Sequence, residues 1–193
     1  MAEGFISYQD KGPDETLRDV AQRYPTELAT RCMVQLYEAE PYTPCQKFDF
    51  CGLHDLMHDI CSSKADEENF LKHIDASKYL NGIPSTRLAL PPSIGNSMTR
   101  LAITYERDSV PSIHGLEKLK DLRSFMLQQK VYSSKPQIGF KEKAINFEMM
   151  RCLRILVVEG CTFEGEKLPS KVAELIHLSF DSWIDYNKIV NLR

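Results

Sequence analysis

The sequence predicts a mixed α and β chain in two parts, a helix, a β-hairpin and a second helix, followed by short strands built on a recurring apolar spacing. Three observations carry this expectation. Apolar residues fall at helical spacing from Leu17 to Leu28 and again from Leu53 to Cys61. The segments between them, Met33 to Glu38 and Lys47 to Leu53, alternate apolar and polar residues. Beyond Leu119 the same arrangement of apolar positions occurs twice.

With 193 residues, 42% hydrophobic and 26% charged, the chain has the material for one ordinary domain or two small ones, and a disordered or fibrous class is excluded. The formal net charge of -3 gives it no overall electrostatic footprint for nucleic acid or an anionic membrane, so any partner surface must be local. The segment Met1 to Asp10 carries Glu3 and no apolar run, which argues against a secretory signal peptide. No stretch approaches the roughly 18 apolar residues of a membrane span. The cysteines Cys32, Cys45, Cys51, Cys61, Cys152 and Cys161 form no CxxC pair and no dense framework. That pattern suits a cytoplasmic chain with reduced thiols buried as small apolar residues.

In the first helix Leu17, Val20, Ala21, Tyr24 and Leu28 share one face, and Pro13-Asp14 offers a start with Asp14 as the cap. Pro25 cannot donate to the carbonyl of Ala21, which predicts a kink or a break there. The hairpin loop holds Pro41 and Pro44. In the second helix Leu53, Leu56, Met57, Ile60 and Cys61 make an apolar stripe, while His54, Asp55, His58 and Asp59 fill the opposite side. Helix, hairpin and helix in this order are the later part of a winged helix.

After the charged stretch from Lys64 to Leu71, segments punctuated by Pro84, Pro91, Pro92, Gly95 and Pro111 place a boundary near Asp75. Leu119, Leu122, Phe125 and Leu127 then repeat as Met150, Leu153, Leu156 and Val158. The spacing Leu153, Leu156, Val158, Cys161 fits LxxLxLxxN/C, in which a short strand buries its leucines and the last position hydrogen-bonds inside the turn. The earlier copy has Lys130 at that last position, which predicts an irregular or exposed turn. A third copy begins at Val172, Leu175 and Leu178, and the tail from Asp181 to Arg193 does not continue it. The expected organisation is a partial winged-helix part over 1-74, an irregular connector and first repeat over 75-115, and a short, incomplete leucine-rich-repeat solenoid over 116-193.

Several separated motifs agree in order with one family. Ala2-Glu3-Gly4-Phe5-Ile6, Glu15-Thr16-Leu17-Arg18-Asp19-Val20-Ala21 and Leu53-His54-Asp55-Leu56-Met57-His58-Asp59-Ile60-Cys61 resemble the winged-helix subdomain of plant nucleotide-binding leucine-rich-repeat disease resistance proteins with a coiled-coil type N-terminus. Lys64 to Leu71, Met150 to Cys161 and Lys167 to Leu178 are similar to the first repeats of such receptors. The resemblance implies a Met-His-Asp signature whose His reaches the β-phosphate of bound ADP and holds the receptor off. A literal Met57-His58-Asp59 is present, but the family signature directly follows the hairpin. It therefore aligns with Leu53-His54-Asp55, making His54 the phosphate contact and Asp55 its companion at the helix start.

The departures shape the functional expectation. The chain has no GxxxxGK(S/T) loop and no Asp-rich metal strand. By family analogy a complete receptor is an ADP/ATP switch in defence signalling, whereas this chain by itself is expected to be no enzyme and to carry no cofactor. Expected partners are proteins: a second copy, a full-length receptor, or a pathogen effector or guarded host protein, with no nucleic acid and no membrane span. Two alternatives compete. His54-Asp55-Leu56-Met57-His58 is an HDxxH, close to the zinc hydrolase HExxH, but needs a third ligand such as Asp59 or His73. A winged helix can also bind DNA, but Glu38, Glu40 and Asp49 outweigh Lys47 in the wing and would repel phosphates. In the repeats, Arg123, Ser124, Met126, Arg154, Ile155 and Val157 are expected on the open face of the strands.

Overall fold

The computed structural model describes residues 4–38, 48–80, 87–92, 94–95, 97–106, 111–129, 139–140, 145–159, 162–163 and 170–178. Expectations at Pro41, Pro44, Cys45, Lys47, Lys130, Cys161 and the tail from Asp181 to Arg193 lie outside these residues. The chain forms two compact units, Met1–Ala65 and Asp66–Arg193.

The first unit opens with a 3-10 turn over Tyr8–Asp10 and continues into α1, Leu17–Thr30. The cap of α1 is Thr16 and not Asp14. Thr16 Oγ1 accepts from the Asp19 backbone N–H at 3.2 Å, and Asp19 Oδ2 accepts from the Thr16 N–H at 2.7 Å. This reciprocal box satisfies two helix-end donors, and such a cap is worth about 1 kcal/mol. Of the two outcomes expected at Pro25, a kink or a break, the break does not occur, since the helix is continuous past it. The Arg23–Glu27 pair at 3.2 Å spans the proline, while the Arg23–Glu15 pair at 3.2 Å and the wholly buried Val20 anchor the turns before it. The Glu15 carboxyl lies below its usual range, chiefly because it accepts the Gly12 N–H and then because Arg23 is beside it.

α1 ends in a reversal in which the Met33 N–H reaches the Leu28 carbonyl at 3.0 Å and the Cys32 N–H reaches that of Ala29 at 2.9 Å. Cys32 stands at φ 55, the left-handed position that glycine usually fills. The chain then enters β1, Val34–Glu38, which pairs antiparallel with β2, Phe48–Leu53, in a register that sets Val34 against Leu53 and Leu36 against Cys51. α2, Asp55–Glu67, follows at once. Its apolar stripe is not packed away: Leu56 is 72% and Ile60 48% exposed, and no residue of α2 is buried. Among the described residues of this unit the buried hydrophobics are Val20 and Val34.

The second unit is built differently. Its elements are β3 (Lys72–Asp75), α3 (Ala76–Leu80), β4 (Arg87–Ala89), β5 (Arg100–Tyr105), β6 (Ser112–His114), β7 (Ser124–Gln129), β8 (Gly139–Phe140), β9 (Ile155–Glu159), β10 (Thr162–Phe163) and α4 (Ser170–Ala173). β3, β5, β7 and β9 form a four-stranded sheet in that order, parallel throughout, and β4–β6 and β8–β10 form small parallel pairs. Because these neighbouring strands are parallel, each connection must bring the chain back to the same end of the sheet.

The turns repeat at atomic detail. Leu119 and Leu122 donate from their backbone N–H to Leu116 and Leu119, Met150 and Leu153 to Phe147 and Met150, and Leu175 and Leu178 to Val172 and Leu175, all at 3.0 to 3.3 Å. The Thr99 carbonyl accepts from Arg123 and Ser124, and the Arg123 carbonyl accepts from Arg154 and Ile155 in the same way. Leu101, Phe125 and Leu156 align in register and are buried, as are Ile103, Leu127 and Val158. This core supports the two apolar copies expected from sequence and extends them: β5 lies inside the expected connector and β3 ahead of it.

Candidate functional site

His54 stands between the last residue of β2 and the first of α2, and its carbonyl accepts the His58 N–H at 2.8 Å, closing the first turn of the helix. The hairpin therefore delivers His54 half-buried at a helix start, with Asp55 exposed beside it in the first turn. A carboxylate there is favoured by the partial positive charge of the helix N-terminus. His58 lies one turn along, exposed, with Nδ1 3.6 Å from Asp59 Oδ1. His54 and Asp55 are adjacent at this junction, and His58 follows one helical turn along.

Among the described residues no group of three His, Cys, Asp or Glu side chains is placed to hold a metal ion. His73, named as a possible third ligand, belongs to the second unit, where its Nε2 lies 3.1 Å from Thr104 Oγ1. The expectation of buried cysteines is corrected at Cys32, Cys51, Cys61 and Cys152, all free and exposed. Cys32 occupies the turn after α1, and Cys61 lies on the unpacked α2. Partial burial nevertheless pushes the Cys51 thiol pKa up.

The open face of the parallel sheet is partly as expected. Arg123, Met126 and Arg154 are exposed and Ile155 is half-buried. Ser124 and Val157 are buried and are corrected accordingly. Ser124 lies in register between Arg100 and Ile155, two longer side chains that flank it on the neighbouring strands. Sequence reasoning missed Phe70, whose ring lies 4.4 Å from the Arg100 guanidinium carbon. A cavity of about 550 Å³ in the second unit is lined by Glu148, Arg151, Cys152, Lys171, Ile176 and His177, among others. Lys171 crosses its wall to Glu148 at 3.0 Å and Glu174 at 3.3 Å, neutralising much of its charge. No helix among the described residues is long and apolar enough to cross a membrane.

Comparison with known proteins bears on the first unit by domain and on the whole chain by sequence. The family model described as the disease resistance protein winged helix domain matches residues 1–61, which take in α1, the hairpin and the start of α2. A disease resistance protein of Arabidopsis thaliana is 34% identical over 179 residues, 93% of this chain and 18% of that protein. The disease susceptibility protein LOV1 of the same plant is 31% identical over 96% of this chain and 19% of its own length. Disease resistance RPP8-like protein 3, also from Arabidopsis thaliana, is 32% identical over 86% of this chain and 16% of its own. The chain spans about a fifth of the length of the curated relatives it matches. Residues 1–61 carry the winged-helix domain of disease resistance proteins, and along nearly its whole length the chain is similar to such proteins of plants.

Proposed function

We propose that the chain serves plant defence as a stretch of a cytoplasmic, nucleotide-controlled receptor, working through protein contacts and a phosphate contact at His54, with no catalysis of its own. The observation that carries this reading is the placement of His54 directly after β2 and at the head of α2. A side chain there lies beside the unpaired N–H groups of the helix start, where phosphate is favoured. One His supplies only one of the several contacts that a phosphate site requires, so ADP or ATP would be held by the receptor as a whole.

Two further observations support the protein-contact side. The parallel strands in sequence order, each backed by leucines at the LxxLxL spacing of Leu122 to Leu127 and Leu153 to Val158, support a leucine-rich-repeat reading of the second unit. The exposed stripe of Leu53, Leu56 and Ile60 offers an apolar face of the kind that marks an interaction surface.

The test is signalling by a complete receptor into which this stretch is built, expressed transiently in leaves. His54→Ala should provoke cell death without a pathogen, because the contact that favours the resting state is gone, while His58→Ala stays quiet. Equal behaviour of the two variants would contradict the reading.

A further inference from the structure

Residues 7–15 lead into α1, and none of them is buried. The turn and the helix that follows each close their own backbone. Ser7 and Asp10 form a reciprocal box around the 3-10 turn, the Ser7 N–H reaching Asp10 Oδ2 at 2.6 Å, just as Thr16 and Asp19 close the start of α1. Arg23, on the second turn of α1, crosses from the helix to this segment. Its Nη2 donates to the Asp10 carbonyl at 2.9 Å and its Nε to Glu15 Oε1 at 3.2 Å, while Nη1 donates to Glu27 Oε1 further along the helix at 3.2 Å. Glu15 in turn accepts the Gly12 N–H at 3.0 Å, and a Cβ at Gly12 would stand only 3.3 Å from Glu15 Oε2. The absence of a side chain at Gly12 lets the carboxylate fold back over it.

We infer that residues 7–15 are a strap latched to α1 by Arg23, able to lift from the helix while α1 stays closed. Segments held without buried apolar surface open at the lowest cost, and the strap is held by polar contacts. The Arg23 and Glu15 side chains are 37% and 32% exposed, so solvent screens their attraction. Lifting leaves the helix end satisfied, because its cap is Thr16 and its reciprocal partner Asp19 lies within α1. One guanidinium serves three acceptors at once through its fixed fork of donors, which no single ammonium can reproduce. The device is a hinge: the direction in which the chain enters α1 changes while the helix and the hairpin keep their shape.

The experiment measures backbone order of the full chain by nitrogen-15 relaxation. In the wild type, residues 8–12, 14 and 15 should be nearly as ordered as α1, with order parameters near about 0.85, and in Arg23→Gln they should fall below about 0.6 while residues 20–30 hold their value. Arg23→Lys should fall between the two. Glu15→Gln, which acts from the strap side, should loosen the strap as well, whereas Glu27→Ala breaks the pair within the helix and should leave the strap ordered. Unchanged order of residues 8–15 in Arg23→Gln and Glu15→Gln, loss of order in α1 together with the strap, or equal loosening by Glu27→Ala would each overturn the inference.

Discussion

Replacing Phe125 with alanine should destabilise the second unit by about 3–5 kcal/mol, read from urea unfolding followed by circular dichroism. Phe125 is wholly buried at the centre of the sheet, in register with Leu101 on one side and Leu156 on the other, both buried as well. Truncation removes the transfer free energy of the ring and leaves a cavity that stacked turns cannot close without shifting a whole strand. Since domains of this size are stable by only about 5–15 kcal/mol, one such change brings the unit close to unfolding. Met126→Ala, at the next residue but on the open face, should cost less than about 1 kcal/mol. Comparable losses at the two positions would contradict the inward and outward assignment of β7.

The second large effect concerns association. Leu56 and Ile60 are exposed along α2, and Leu53, expected on that helix, is exposed at the end of β2 instead, while Val20 and Val34 are the buried hydrophobics among the described residues of that unit. Fully burying a leucine or isoleucine side chain gains about 1.5–3 kcal/mol, so covering these partly exposed side chains gains an amount comparable with what Val20 and Val34 contribute. The chain at high concentration should therefore associate, and Leu56→Asp with Ile60→Asp should return it to a monomer in light scattering after size exclusion. The same pair built into a complete receptor should sharply lower the amount of folded protein recovered. A wild-type chain that stays monomeric at every concentration would mean that the stripe does not seek a partner.

The legible parts of the fold were those that local pattern determines. Alternation from Met33 to Glu38 and from Lys47 to Leu53 located the hairpin, because a half-buried strand must alternate. The cap was legible but misplaced: Thr16 followed three residues later by Asp19 is the capping-box pattern, and it outweighs the nearby Pro13-Asp14. Cys32 could not be foreseen in a left-handed turn, since the glycine that announces such a turn is missing. β3 escaped because Lys72-His73-Ile74-Asp75 holds one buried apolar residue, and its place in the sheet comes from pairing with β5. β5 alternates well, but Gly95 stands where the later copies carry Leu119 and Met150, so the repeat was not recognisable upstream.

The candidate site was legible for a different reason. The end of β2 could be found from alternation, so the residue that follows it, His54, could be assigned to the head of α2 without the structure. What periodicity could not supply was exposure: the stripe on α2 reads as core by spacing yet lies open, because spacing records which residues share a face and not what covers it. The buried cysteines failed on the same ground.

The measurement that bears most directly on the central claim is the nucleotide carried by a complete receptor containing this stretch, released by denaturation after purification and quantified chromatographically. Losing one charge-assisted hydrogen bond to phosphate costs about 1.5–3 kcal/mol, roughly ten- to a hundredfold in affinity. The wild type and His58→Ala should each retain ADP near one per chain, and His54→Ala should retain little. Retention of ADP by His54→Ala at the wild-type level, or its loss from His58→Ala instead, would contradict the assignment of the phosphate contact to the junction between β2 and α2.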